Sequence, residues 1–189
     1  MGWKTRQGRK LSQTARRFAR GQGGAAAVEF ALVALPFFAL LLGIIEIGMI
    51  YLISTTLEDA TNNAARLIRT GSLQTQATAE TASAFQTAIC NKLSWLGSQC
   101  TSKLEVDVRT FAQFQNVSLP SPVSNGKLQP QSQLQFTMGG PGDIVLVRAY
   151  YPWTLIAPAL DGMTSQTSGG QMLITATAAF RNEPYPTTP

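Results

Sequence analysis

The sequence has no histidine, two cysteines and few charged residues, and each shortage excludes a class of site. Histidine, absent from all 189 residues, is the usual general base near neutral pH and the commonest metal ligand. Its absence excludes His-based catalytic triads, His-ligated zinc sites and haem sites with a histidine ligand. Two cysteines are too few for a Cys₄ metal site. Charged residues make up 13% of the chain, which is about half the usual share of a soluble domain.

The sequence patterns of common enzyme sites are also missing. The chain has no GxSxG, no Walker-type glycine loop, no CxxC and no cluster of carboxylates. The GGPG at 139–142 lacks the lysine and the helical context of a phosphate-binding loop. We therefore expect no intrinsic catalysis, no metal site and no cofactor, in a chain long enough for roughly one domain.

The positive charge is concentrated at the amino terminus. The net charge is +5, and residues 1–24 contain no acid but seven cations: Lys4, Arg6, Arg9, Lys10, Arg16, Arg17 and Arg20. The remaining eight cations face all ten acids, so the rest of the chain has a net charge of −2. The chain thus has a basic head and a slightly acidic body, and its overall basicity does not indicate a nucleic-acid partner.

A long apolar segment follows the basic head directly. Residues 25–54 read AAAVEFALVALPFFALLLGIIEIGMIYLIS, in which Glu29 and Glu46 are the charged residues. On a helix these acids lie about 25 Å apart, close to the roughly 30 Å thickness of the hydrocarbon core of a bilayer. We therefore predict a single transmembrane helix. The cations before it predict a cytoplasmic amino terminus and a body outside the membrane.

Two other interpretations of the apolar segment fit less well. A cleaved secretory signal has a shorter apolar core and a small-x-small cleavage site after it, which the segment at 25–54 lacks. A buried helix of a soluble protein would need a large protein around so long an apolar run.

The rest of the sequence predicts helices followed by strands. Apolar residues keep helical spacing over 57–71 and 78–96, and Gly71 and Gly97 are the expected helix ends. Strand patterns then occur at 104–111, 133–138, 143–151 and 171–182, with Pro152 expected to end the third. Residues 113–130 have the composition of a loop.

These patterns predict an α+β fold. A single transmembrane helix extends into a body of helices packed on a small antiparallel sheet. The expected parts are a basic leader at 1–24, the transmembrane helix at 25–54, a helical region at 55–97 and a β-rich region at 98–189.

The junction of basic head and apolar helix has a characteristic pattern. If the chain were cut after Gly24, Ala25 would be the first residue and Glu29 the fifth, followed by Phe30. A basic leader ending in glycine, before an apolar helix with glutamate at its fifth position, resembles the processing signal of type IV pilins and pseudopilins. The aromatic residue after the glutamate resembles the Tad (Flp) branch of that superfamily.

The resemblance extends to other parts of the chain. The segment VEFALVALPFFALLLGIIEIG, with Pro36 inside the helix and Glu46 near its end, is similar to the N-terminal region of TadE-like proteins. The stretches at 57–71, 147–158 and 176–185 also resemble TadE-like proteins. We expect Pro36 and Glu46 to take part in helix packing in the membrane.

The resemblance implies a function, partners and a location. It implies a minor pilin or pseudopilin for Tad-type pilus assembly, which a prepilin peptidase cuts after Gly24. The partners would be that peptidase, other pilins and the assembly machinery. The protein would span the bacterial inner membrane once, with its body in the periplasm, and such pili serve surface attachment and biofilm formation.

Glu29 has a functional and a purely structural interpretation. A carboxylate near the end of a transmembrane helix costs up to about 2.5–3.5 kcal/mol. The new α-ammonium of Ala25 on a neighbouring subunit could compensate that charge and set the register of helix packing. Alternatively, Glu29 reaches the cytoplasmic headgroups and Gly24 is simply a helix-entry residue.

Two further polar positions also have two interpretations each. Glu46 is either an intramembrane partner for another subunit or an acid at the outer interface beside Tyr51. Residues 181–183 before Pro184 form either a polar lock between the last strand and a helix or a solvated strand end.

The two cysteines are placed to form a disulfide. Cys90 lies on the second predicted helix and Cys100 follows the glycine that ends it. If the body lies in an oxidising periplasm, a disulfide joining helix to strand is expected. The alternative is two free thiols, one of them buried as a small hydrophobic residue.

Two other functions compete with the pilin interpretation. The first is an uncleaved signal-anchored protein whose periplasmic body binds an envelope partner. The second is a DNA-binding protein in which the basic head contacts phosphates. The second fails physically if the head is tethered or removed at the membrane.

Overall fold

The computed structural model describes residues 22–74, 82–113, 119–156 and 166–185. The basic head up to residue 21 and the predicted start of the second helix at 78–81 lie outside these described residues. The chain divides into two compact units, Met1–Ile45 and Glu46–Pro189.

The first unit contains the apolar part of the long helix α1 (Gln22–Arg69). From residue 25 to residue 45 no side chain is buried, and large apolar residues such as Phe30 and Leu35 are 72% and 74% exposed. Pro36 lies inside the helix without ending it. Among the described residues, this is the one helix long and apolar enough to cross a membrane. It is therefore a candidate membrane anchor.

In the second unit one face of α1 is buried. The buried residues recur at the three-, four- and seven-residue intervals of a helix face, and they are Glu46, Ile53, Leu57, Ala60, Thr61, Ala64, Ala65 and Ile68. The helix ends at Arg69, and Gly71 follows with a φ of 75°. A Cβ at Gly71 would lie 2.3 Å from the Tyr185 ring. The predicted helix end therefore requires glycine, both because φ is positive there and because a side chain would overlap this ring.

Two short helices and a turn follow. Helix α2 (Ala82–Lys92) is followed by a 3₁₀ turn (Ser94–Leu96), and helix α3 (Ser98–Lys103) begins after Gly97. The second predicted helix is thus shorter than expected, because its last residues form the turn. Helix α3 was not predicted, since its six residues have no apolar periodicity and bury one side chain, Cys100.

Three strands form an antiparallel sheet. They are β1 (Glu105–Phe111), β4 (Ile144–Thr154) and β5 (Gln171–Arg181), in the order β1-β4-β5. A separate two-stranded hairpin pairs β2 (Val123–Ser124) with β3 (Lys127–Leu128). The predicted α+β fold with a small antiparallel sheet is confirmed, whereas the hairpin lies where the sequence indicated a loop.

Two strand predictions were wrong in detail. The segment 133–138 forms one isolated parallel bridge, from Phe136 to Val108, instead of a strand. Strand β4 continues through Pro152 instead of ending there. Strand β1 begins opposite Tyr150, so no β1 residue faces Pro152, and the missing N–H breaks no hydrogen bond on that side.

Alternate residues of the three strands form the core with the helices. The inward-facing strand residues are Val106, Val108, Val145, Val147, Ala149, Tyr151, Ile174, Ala176 and Ala178. They pack with the buried face of α1 and with Phe85 and Ile89 of α2. The opposite face of the sheet carries polar side chains such as Asp107, Arg148 and Thr177.

Candidate functional site

The residues of the predicted cut site lie in the first turns of α1. Gly24 is partly buried, whereas Ala25, Glu29 and Phe30 are exposed. Residues four apart share a helix face, so Ala25 and Glu29 lie on one side of the helix. A cut after Gly24 would therefore place the new amino terminus, at Ala25, on the same face of the helix as the Glu29 carboxylate.

Glu46 lies inside the second unit. Its side chain is 2% exposed, and its Oε1 accepts a hydrogen bond of 2.5 Å from the backbone N–H of Ile156, just after β4. Neither sequence interpretation anticipated this contact, which joins residues 110 positions apart. The carboxylate thus ties the first buried turn of α1 to the end of the central strand.

Cys90 and Cys100 form a disulfide. The two residues are 7% and 0% exposed, and their Cα atoms lie 5.6 Å apart. The sequence predicted a bridge from helix to strand, but Cys100 lies in α3, so the bridge joins two helices. It fixes a helix too short to be stable alone.

We expect reduction of this disulfide to lower the free energy of unfolding by about 2–3 kcal/mol, the chain-entropy value for a loop of this length. The change can be measured by urea unfolding with and without reductant. A Cys90→Ala, Cys100→Ala double variant, insensitive to reductant, is the control. Two thiols that alkylate freely in the unreduced membrane-extracted protein would contradict the bridge.

The end of β5 is locked to α1 and to the loop before β4. Arg69 donates from Nε and Nη2 to Glu183 Oε1 at 3.0 and 2.8 Å, and the Glu183 N–H donates to the Arg69 carbonyl at 2.8 Å. Buried Asn182 donates from Nδ2 to the carbonyls of Met138 and Gly140, both at 3.0 Å. Of the two interpretations of residues 181–183, the structure therefore shows the polar lock.

The outer face of the sheet contains a buried ionic cluster that sequence reasoning missed. Asp107 is 0% exposed, and Arg109 Nε donates to both of its carboxylate oxygens at 2.9 Å. Arg148 Nη2 donates to Asp107 Oδ2, and the Gln135 N–H donates to Oδ1 at 3.1 Å. Arg148 also donates from Nη1 to the Pro120 carbonyl at 3.3 Å. The cluster therefore joins β1, β4 and the connection between them.

A cavity of about 520 Å³ adjoins this cluster. Its lining residues come from β2, β4, β5 and the loops over the outer face, and they are Leu119, Ser121, Pro122, Val123, Arg148, Tyr150, Gln166, Leu173, Thr175 and Thr177. Arg148 Nε and the Tyr150 hydroxyl are buried and have no hydrogen-bond partner among the described residues. Burial raises the pKa of Tyr150 to about 12, so the hydroxyl keeps its proton at neutral pH and can act as a donor.

No group of three or more Cys, Asp or Glu side chains that could hold a metal ion occurs within the described ranges.

The family model described as TadE-like protein matches residues 24–66. The N-terminal segment of this chain is TadE-like. The TadE-like segment includes Ala25, Glu29 and Phe30 near the start of α1 and continues through Glu46. The predicted resemblance is confirmed over these residues. Comparisons with curated proteins and with solved structures gave no match.

Proposed function

We propose that this protein is a minor pilin or pseudopilin that takes part in the assembly of a Tad-type pilus and has no catalytic activity of its own. The TadE-like segment carries this proposal, because it includes the exposed apolar part of α1 in the first unit and most of the part of α1 that packs in the second unit. The pilus would serve surface attachment and biofilm formation. The partners would be a prepilin peptidase, other pilins and the assembly machinery.

The length of the exposed helix supports a membrane-spanning role. From Gly24 to Ile45 the helix is about 33 Å long, close to the roughly 30 Å hydrocarbon thickness of a bilayer. The next residue, Glu46, is the first buried one. In the proposed arrangement the basic head lies in the cytoplasm, the helix crosses the bacterial inner membrane, and the body lies in the periplasm.

The proposed cut after Gly24 changes the charge of the protein. It removes all seven leading cations, so the working form has a net side-chain charge of −2 instead of +5. The helix would then pack beside other pilins through its apolar face. There the α-ammonium of one Ala25 compensates the Glu29 carboxylate of a neighbouring subunit, away from water.

Amino-terminal sequencing of the protein extracted from membranes tests the cut. We expect Ala25 as the first residue of the wild type. A Gly24→Val variant, with a β-branched residue at the cut, is expected to keep residues 1–24. Retention of those residues by the wild type would refute processing and favour an uncleaved signal anchor whose body binds an envelope partner.

A Glu29→Val variant tests the packing role separately. We expect it to be cut like the wild type but to form few or no pili, because the charge that sets the register is lost. Pili are counted by electron microscopy, and Glu58→Val, at an exposed position of the same helix in the second unit, is the matched control. Normal piliation of Glu29→Val would show that Glu29 does not set the register.

A further inference from the structure

The two edges of the three-stranded sheet differ in how the fold covers them. The β1 edge is covered, because Gln131 accepts from the Val106 N–H through Oε1 and donates to the Val106 carbonyl through Nε2, both at 2.8 Å. Val108 bonds to the backbone of Gln135 and Thr137 at 2.8 and 2.9 Å. This edge has therefore no room for another strand at its centre.

Hydrogen bonds at the two ends of the β4–β5 ladder show which groups of β5 face outward. Asn182 N–H donates to the Asp143 carbonyl at 2.8 Å, and Leu155 N–H donates to the Gly170 carbonyl at 3.5 Å. Both pairs continue the register of the strands, in which bonded and non-bonded pairs alternate. Even-numbered β5 residues therefore bond to β4. The residues whose N–H and C=O groups point away from the sheet are Leu173, Thr175, Thr177 and Ala179.

Over these residues no other described part of the chain pairs with the β5 edge, which is called the bare edge below. Their outward backbone groups have no hydrogen-bond partner in the part of the chain that the structure describes. Thr175, Thr177 and Ala179 are exposed. Natural edge strands are usually protected by a charge, a proline or a bulge, but residues 173–179 read LITATAA and contain neither charge nor proline.

The bare edge adjoins the cavity on the outer face of the sheet. Leu173, Thr175 and Thr177 have outward backbone groups, and their side chains line that cavity. Arg148 and Tyr150, which are 7% and 1% exposed, form the wall on the neighbouring strand. A strand added beside β5 would therefore have alternate side chains next to the cavity.

The charge beside the cavity favours an anionic group. Arg109 and Arg148 share one buried carboxylate, Asp107, so these three side chains have a net charge of +1. Glu105 lies opposite Tyr150 on the same face of the sheet but makes no ion pair with them among the described residues. The Tyr150 hydroxyl and Arg148 Nε, which have no partner in the described ranges, are donors suited to carboxylate oxygens.

We propose that the outer edge of β5 and the adjoining cavity bind an extended segment of another protein, which adds as a further strand and places an acidic side chain beside Arg148. In this mode of recognition, main-chain hydrogen bonds give affinity and pockets for alternate side chains give specificity. The binding does not depend on pilus assembly or on cleavage after Gly24.

Binding of a synthetic peptide to the full-length protein in detergent micelles tests the groove. The probe is a dye-labelled nine-residue peptide of alternating threonine and valine with one central glutamate and a lysine added at each end. Fluorescence anisotropy gives its affinity. We expect saturable binding, about tenfold weaker for the same peptide with glutamine in place of glutamate.

A Thr177→Pro variant tests the edge itself. Proline removes an N–H that points away from the sheet, so the ladder with β4 keeps its hydrogen bonds. We expect at least about tenfold weaker peptide binding, whereas Thr177→Val, which keeps the N–H, should bind nearly as the wild type does. Circular dichroism checks folding, and Ala179→Pro makes the same test at the next outward position if Thr177→Pro does not fold.

Three results would overturn the proposal. Equal affinity of the proline and valine variants would show that the edge does not bind the peptide. Equal affinity for the glutamate and glutamine peptides would show that the acidic side chain does not bind in the cavity. A concentration-dependent dimer of the protein alone that Thr177→Pro abolishes would assign the edge to a second copy of this chain instead of another protein.

Discussion

Replacing Asp107 by alanine is expected to lower the free energy of unfolding by about 3–5 kcal/mol, the usual cost of removing one partner of a buried ion pair. Its fully buried carboxylate accepts hydrogen bonds from Arg109, Arg148 and the Gln135 N–H. Without it, Arg148, whose side chain is 9% exposed, keeps a buried charge that has lost its ion-pair partner. Urea unfolding of the full chain in detergent micelles, followed by pulse proteolysis, measures the change.

Two variants distinguish the buried charge from a general effect of losing a carboxylate. Asp59→Ala removes an exposed acid on α1 and is expected to change stability by about 0.5 kcal/mol or less. Adding Arg148→Met to Asp107→Leu removes both buried charges and should recover much of the loss. If Asp107→Ala lowers the free energy of unfolding by no more than Asp59→Ala does, the ionic cluster does not stabilise the sheet.

Phe85→Ala is expected to cost about 3–5 kcal/mol, because it leaves a large cavity in the core. Phe85 is 0% exposed and packs against Phe136, with ring centroids 5.9 Å apart. It joins α2 to the segment that covers the β1 edge. The same urea and proteolysis measurement applies.

Trp95→Ala is the matched control for this prediction. Trp95 lies in the 3₁₀ turn after α2, where it is 45% exposed, so its removal leaves no cavity and should cost far less. If Phe85→Ala and Trp95→Ala lowered the free energy of unfolding by similar amounts, the result would contradict the packing of α2 against the sheet.

Elements with a sustained local pattern could be predicted from the sequence. The apolar run of α1, the alternation in β1 and the alternation in β5 each fix the type of the element without reference to distant residues. The β2–β3 hairpin was missed although its turn contains Asn125 and Gly126, a sequence typical of two-residue hairpin loops. Its strands of two residues are too short for a periodic pattern.

Features that depend on distant partners could not be predicted. The alternation in β1 puts Asp107 on the polar face, but its burial depends on Arg148, 41 positions away, and therefore on the sheet register. Glu46 was predicted near the membrane boundary, yet its partner is the N–H of Ile156. The motif at Gly24 to Phe30 could be recognised from the sequence because all of its residues lie within two turns of one helix.

The contacts at the two ends of the packed part of α1 have a mechanical consequence. Glu46 is bonded to Ile156 after β4, and Arg69 is bonded to Glu183 after β5, so this stretch of about 35 Å is fastened to the strands at both ends. A pulling force along the helix axis therefore loads the whole buried face in shear, instead of peeling the helix off turn by turn.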